Sequence, residues 1–292
     1  MHLQKVGLIG VGLLGGSIGL ALKARRLADR VEGYVRREAS VAECERFGVV
    51  DRATTDLLSV VKDADLVILC TPIAQMRALV EQFAGTLKPG AIVTDVGSVK
   101  GSVVAELEPL CAKAGAQFVG SHPMAGAEKT GPAAARAELF EKAVCVVTPG
   151  AKTPVKLVKQ VEDFWAAIGG KPLRLAPDQH DSLVARSSHL PHVVAAELAN
   201  YVLSPAHPKE QATLCATGFR DTTRIAAGSP EMWRDIALAN RKHLARVLGV
   251  FIEDLQEFQL ALERGDAKAM DEFFETAKHR RDQLFGNGGS PE

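Results

Sequence analysis

The run Gly120-Ser121-His122-Pro123-Met124-Ala125-Gly126-Ala127-Glu128-Lys129 puts an imidazole just after a predicted strand. Upstream, Gly10-Val11-Gly12-Leu13-Leu14-Gly15 has the glycine spacing of a dinucleotide cradle. Downstream, Ser188-His189-Leu190-Pro191-His192 lies in a helical segment, and Arg220 and Arg224 follow, four residues apart. An imidazole is the side chain best matched to taking a proton near neutral pH. A glycine loop opening a helix binds pyrophosphate. Guanidinium forks suit carboxylates. Together these types describe an oxidoreductase acting on a hydroxyl-bearing dianion.

Those residues need a scaffold, and the hydrophobic pattern supplies one. Short apolar runs at 5–9, 31–35, 65–70, 91–95, 118–120 and 144–147 alternate with helical patterns such as 17–27. Continuous apolar strands between helices predict an α/β fold, a Rossmann-type doubly wound parallel sheet. After Ala176-Pro177 the strand signal stops and only helices are expected. Residues 1–176 are therefore assigned to the dinucleotide-binding domain and 177–292 to an all-α domain, with 286–292 a disordered tail. Ser229 and Pro230 form a good N-cap and first turn. From there apolar residues recur at three- and four-residue steps to Arg264, predicting one helix of ~50 Å. So long a helix predicts a bundle shared between two chains, a homodimer through the helical domain.

Composition narrows the partners. The 292 residues carry 35 Lys+Arg and 35 Asp+Glu, so no net field favours nucleic acid or an anionic membrane. No apolar run approaches the ~18 residues of a membrane span. The five cysteines are scattered and form no CxxC pair, which suits a reducing compartment and offers no metal-ligand spacing. The first strand starts at once and its glycines belong to a phosphate loop, not a leader, so a cytoplasmic protein is expected.

In the glycine loop, Gly10 serves the tight turn, Gly12 the approach to pyrophosphate and Gly15 the close packing of helix on strand, with Leu13 and Leu14 between them. Thr71 and Pro72, which end the run at 65–70, complete the cofactor-facing set. NAD enzymes usually place Asp or Glu about 20 residues after the fingerprint to hold the ribose 2′-hydroxyl. Here Val35 stands there, followed by Arg36 and Arg37. Two guanidinium groups without a carboxylate favour a 2′-phosphate, so NADP is preferred and NAD possible. The alternative is a solvated arginine pair that leaves either cofactor acceptable.

Several candidates have plainer readings. His122 alone could be a satisfied turn histidine and Ser98 an ordinary loop residue. His189 and His192 could be buried structural groups, with Pro191 bending their helix. Arg220 and Arg224 could pair with Asp221 or Asp235, and Trp233 could be a pocket wall or an interface core residue.

The ordered set GVGLLGGS, TDVGSVKG, GSHPMAGAEKTG, SSHLPH, FRDTTRIA and MWRDIALAN resembles the prephenate/arogenate (cyclohexadienyl) dehydrogenases of tyrosine biosynthesis, from about residue 5 to 240. The resemblance implies a Rossmann-type domain, a helical dimerisation domain and an active site between them. It implies hydride transfer from a cyclohexadienol to a nicotinamide with loss of carbon dioxide. On it, His122 accepts the hydroxyl proton and Ser98 hydrogen-bonds the same hydroxyl. Arg224 binds substrate carboxylate, His192 lines the pocket near the side chain, and His180 is a further candidate. Arg220, four residues before Arg224, would share its face if the segment is helical and assist there. Ala127 stands where some relatives have threonine, and the adjoining Glu128 could pair with an ammonium group. A keto (prephenate) or amino (arogenate) side chain therefore both remain open. Some relatives carry a chorismate mutase or ACT domain, for which 292 residues leave no room. Any feedback by tyrosine is expected as competition in the active site.

Two other readings keep the architecture. One is a β-hydroxyacid or 6-phosphogluconate-type dehydrogenase, whose acid/base is a helical-domain lysine. The other is a nucleotide-sensing protein without catalysis. His122→Asn separates them.

Overall fold

The computed structural model describes residues 2–127 and 129–286. It starts as an alternation of strands and helices: β1 (Leu3–Ile9), α1 (Leu13–Ala24), β2 (Ala28–Tyr34), α2 (Glu38–Arg46), β3 (Arg52–Thr54), α3 (Leu57–Val61), β4 (Leu66–Leu69), α4 (Ile73–Phe83), β5 (Ile92–Asp95), α5 (Gly101–Lys113) and β6 (Gln117–Phe118). These six strands form one sheet in the order β3-β2-β1-β4-β5-β6, every pair parallel. Both faces are covered. Leu8 and Ile68 enter one apolar cluster with Ile18 and Leu22 of α1, while Ile9, Val67 and Leu69 enter another with Val80 and Phe83 of α4. Burial on both faces is why these strands read as unbroken apolar runs. In such sheets ligands bind beyond the carboxyl ends, where the chain order reverses. That point lies between β1 and β4, beside the glycine loop.

A second sheet follows, which the sequence reading does not contain. It holds β7 (Gly120–Pro123), β8 (Val144–Thr148) and β9 (Lys171–Arg174), with α6 (Val155–Ala167) between the last two. The predicted run at 118–120 is divided, because β6 pairs with β5 while β7 runs antiparallel to β8. His122 sits opposite Val146 in that second sheet.

From Pro177 only helices follow: α7 (Pro177–Val184), a π-helical turn (Ala185–His189), α8 (Leu190–Val202), α9 (Glu210–Thr213), α10 (Thr217–Thr223), a 3-10 turn (Arg224–Ala227), α11 (Pro230–Ala239), α12 (Arg241–Arg264) and α13 (Ala267–Phe285). The widened turn immediately before Pro191 is where that proline opens the helical ladder. The predicted single helix over 230–264 is two, broken at Asn240. That residue is the C-cap of α11, and its buried side chain donates from Nδ2 to the Asp181 carbonyl at 2.9 Å.

Packing divides the chain into Met1–Arg241 and Lys242–Glu292. The change from strands to helices at 176/177 is visible in the order of elements, but α7 to α11 pack as part of the first unit. Within the second unit, Gly265 (φ 62°) turns the chain, Asp266 caps α13, and Phe258 packs on Phe273 at 4.5 Å between centroids. Most of the expected tail, 287–292, lies outside the described residues. Among the described residues no helix is long and apolar enough to cross a membrane.

Candidate active site

The glycine loop is built as its spacing requires. Gly10 adopts φ 98°, and a Cβ there would lie 2.9 Å from the Cys70 carbonyl oxygen. A Cβ at Gly15 would lie 2.1 Å from the Gly10 oxygen, so only glycine lets α1 start this close to β1. At Gly12 a Cβ would meet nothing within 4 Å, so there is open space beside the loop for a pyrophosphate to approach the backbone. Leu13 and Leu14 open α1, whose first turn has neither an acidic residue nor a side-chain cap. Its free N–H groups suit a pyrophosphate. Thr71 lies two residues beyond the end of β4, and its hydroxyl is buried without a hydrogen-bond partner, its methyl 3.0 Å from a Cβ built at Gly10. Pro72 caps α4. These residues fit a dinucleotide.

The end of β2 adjoins the loop, since Gly10 N–H donates to the Tyr34 carbonyl at 3.0 Å. Arg36 and Arg37 follow there, both exposed, with Arg37 at the N-cap of α2.

A buried polar cluster carries β7 across the carboxyl end of β5. Asp95, the last residue of β5, forms an ion pair with Lys100, both fully buried. Asp95 also accepts from the Ser121 N–H at 3.0 Å and the Gly97 N–H at 2.8 Å, and Lys100 Nζ donates to the Ser121 carbonyl at 2.8 Å. Ser121 Oγ donates to the Asp95 carbonyl at 2.6 Å. A buried pair with its remaining valences filled in this way is positioned rigidly. Burial pulls the Lys100 ammonium below its ordinary pKa, against the opposing pull of Asp95. The half-buried Ser98 lies on the loop that Asp95 and Lys100 bracket.

His122 is next to Ser121, and its Nδ1 lies 2.9 Å from Nε2 of His180. His180 Nδ1 in turn lies 2.8 Å from the Asp181 carboxylate. The same carboxylate accepts from the Lys100 and Gly101 backbone N–H groups, both at 2.7 Å, at the start of α5. Burial works against the Asp181 charge, but these donors outweigh it and hold its pKa below the usual carboxylate value. Burial pushes His122 well below 6.5, and the neighbouring His180, Lys100 and His189 push in the same direction. It is therefore a neutral imidazole at physiological pH.

His189 is buried and accepts from Asn240 Nδ2 at 3.1 Å; burial takes it down to about 4 against the upward pull of Asp181. His192 donates from Nδ1 to the Ser188 carbonyl at 2.9 Å, which leaves Nε2 as its acceptor. Burial lowers its pKa as well. Its ring stacks on Trp233 at 3.6 Å between centroids, so Trp233 forms a wall beside His192. Arg220 in α10 and Arg224 at the head of the 3-10 turn are both exposed, on segments packed against α8. His180 is fully buried with both ring nitrogens engaged by protein groups, a place behind His122. Glu128 lies outside the described residues. Sequence reasoning did not single out Asp95, Lys100, Asp181 or Asn240. Asp95 and Lys100 stand in the TDVGSVKG motif itself and Asp181 directly follows His180, which was the available signal.

Comparison with known proteins shows the family. Residues 18–173 match the model of the prephenate dehydrogenase nucleotide-binding domain, and 176–279 that of the prephenate dehydrogenase dimerization domain. The chain belongs to the prephenate dehydrogenase family. Among family members, it is 36% identical to a cyclohexadienyl dehydrogenase of Zymomonas mobilis, over 95% of both chains. It is also 36% identical to a prephenate dehydrogenase of Bacillus subtilis, over 95% of this chain and 75% of the other. A crystal structure of prephenate dehydrogenase from A. aeolicus, in complex with hydroxyphenyl propionate and NAD+, superposes with a TM-score of 0.91 at 31% identity, covering 97% of this chain and 99% of that one. The family fold is thus the one seen here, a parallel six-stranded sheet followed by helices.

Proposed function

We propose that the protein oxidatively decarboxylates prephenate, arogenate or both, with His122 taking the proton of the substrate hydroxyl. The observation that carries this is the His122 ring itself: neutral by burial, tied at Nδ1, with Nε2 left for substrate. When bound, a nicotinamide dinucleotide supplies the hydride acceptor. The hydroxyl proton passes to His122 Nε2 as hydride leaves the carbon bearing that hydroxyl. The bond to the ring carboxylate breaks, its electron pair stays in the ring as aromaticity forms, and carbon dioxide departs. Ser98 donates to the same oxygen from the adjoining loop. Arg224, assisted by Arg220, holds substrate carboxylate, and His192 with Trp233 lines the side-chain end of the pocket.

The glycine loop, the start of α1 and the unpartnered Thr71 hydroxyl hold the dinucleotide. Arg36 and Arg37, with no carboxylate at the end of β2, favour NADP over NAD. A homodimer forms through the helical C-terminal part: the match to a dimerization-domain model supports it, as do the exposed Val250, Leu255, Phe274 and Phe285. Five unpaired thiols suit a cytoplasmic setting.

The test is turnover of prephenate and of arogenate by purified protein, each with NAD+ and NADP+. Reduction of cofactor on either acid supports the proposal. No turnover of either acid, with dinucleotide binding intact, overturns it.

A further inference from the structure

We propose that His180 and Asp181 are a positioning pair, docked on the first turn of α5, that holds His122 in the one tautomer able to accept a proton at Nε2. This rests on the reading of His122 as the proton acceptor.

The direction of the chain follows from the donor inventory. An ionised carboxylate only accepts, so His180 Nδ1–H donates to Asp181 Oδ1. In the proposed arrangement that Nδ1–H is the one ring hydrogen of His180, so its Nε2 accepts from His122 Nδ1–H across the 2.9 Å contact. His122 Nε2 is left with its lone pair. In the other tautomer Nε2 would carry hydrogen, present a donor to the substrate hydroxyl and be unable to take its proton. A free imidazole populates both tautomers, so a fixed partner at Nδ1 is what selects one.

The pair is itself held from two sides. Asp181 meets the Lys100 and Gly101 N–H groups, which carry the positive end of the α5 dipole. A Cβ at Gly101 would lie 2.9 Å from Asp181 Oδ2, so glycine there allows the carboxylate to come close. The Asp181 carbonyl accepts from Asn240, whose departure from the helix breaks α11 from α12. Because α5 begins just after Ser98, one anchor sets the position of both groups proposed to meet the substrate hydroxyl.

The test compares His180→Phe, which keeps ring volume and removes the acceptor, with His180→Gln, whose carbonyl oxygen can take the same N–H. The expected result for His180→Phe is a kcat lowered by roughly 100-fold, with the KM of the ring substrate within about threefold, given the range general bases contribute. His180→Gln recovers much of that loss. In a His122→Asn background His180→Phe costs little more, because residues acting as one unit are not additive. In histidine-labelled protein, 1H–15N spectra show hydrogen on His122 Nδ1 in the wild type and a tautomer mixture in His180→Phe. Unchanged kcat in a folded His180→Phe variant overturns the proposal, and so does hydrogen on Nε2 of wild-type His122. If the wild type turns over neither acid, the functional reading fails and the spectra still decide the tautomer.

Discussion

Nδ1 of His122 lies 2.9 Å from Nε2 of His180, so the imidazole on β7 reaches the Asp181 carboxylate through a second imidazole. The carboxylate belongs to a helix that starts after the last strand, and the first imidazole to a sheet that starts after β6. Several measurable consequences follow from that link and from the buried charges around it.

The pH profile has a definite sign. Protonating His122 removes the acceptor, and its pKa lies well below 6.5 because of burial. kcat/KM is therefore expected to stay flat from pH 8 to 6.5 and to fall only in more acid solution. A one-proton decline centred at or above pH 6.5 would contradict the burial of a neutral base.

Stability changes over a related window. His189 drops from 6.5 to about 4 on folding, so the unfolded chain binds more protons between those values. Its contribution is complete above about pH 6.5, erodes as the pH falls towards 4 and then levels. The shift corresponds to about 3 kcal/mol. Urea unfolding at pH 7 and pH 4.5 reads it: a loss of stability is expected, and equal midpoints would contradict it.

Lys100→Met should leave Asp95 buried and unpaired, at a cost of about 3–5 kcal/mol. The same change removes a positive charge that lowers the pKa of His122, so the acid limb of activity should move to higher pH. Thermal unfolding and a pH–rate profile of the variant check both effects. A Tm like that of the wild type would show the pair to be dispensable.

Much of this was legible in the sequence, for identifiable reasons. The parallel sheet showed itself because burial on both faces makes β1, β4 and β5 continuous apolar runs, and the glycine loop because its backbone tolerates no Cβ at Gly10 or Gly15. The second sheet was hidden. β9 is exposed along its length and reads Lys-Pro-Leu-Arg, with no apolar signature. The break at Asn240 was hidden too, because helical periodicity continues through it and what sets the residue apart is tertiary, its buried side chain meeting the Asp181 carbonyl and His189. His180 looked like a pocket residue because sequence shows proximity along the chain and not which ring nitrogens are already engaged.

Arg224→Ala should act on binding. Losing charge-assisted hydrogen bonds to a carboxylate costs about 1.5–3 kcal/mol, or roughly 10- to 150-fold in KM for the dianion, with a smaller change in kcat. Steady-state kinetics at saturating cofactor give the answer, and an unchanged KM would remove Arg224 from the substrate site.

Replacing Arg36 and Arg37 together by alanine should raise the KM for NADP+ about tenfold or more while leaving that for NAD+ within about twofold. Equal effects on both nucleotides would show that neither guanidinium meets a 2′-phosphate.

The most direct measurement is turnover of prephenate and arogenate by His122→Asn, with dinucleotide affinity determined on the same preparation. The expected result is a kcat/KM lower by roughly 10²–10⁴-fold and an unchanged Kd for the dinucleotide. Wild-type turnover in that variant would mean that another group takes the hydroxyl proton, and the chemistry proposed for this site would be wrong.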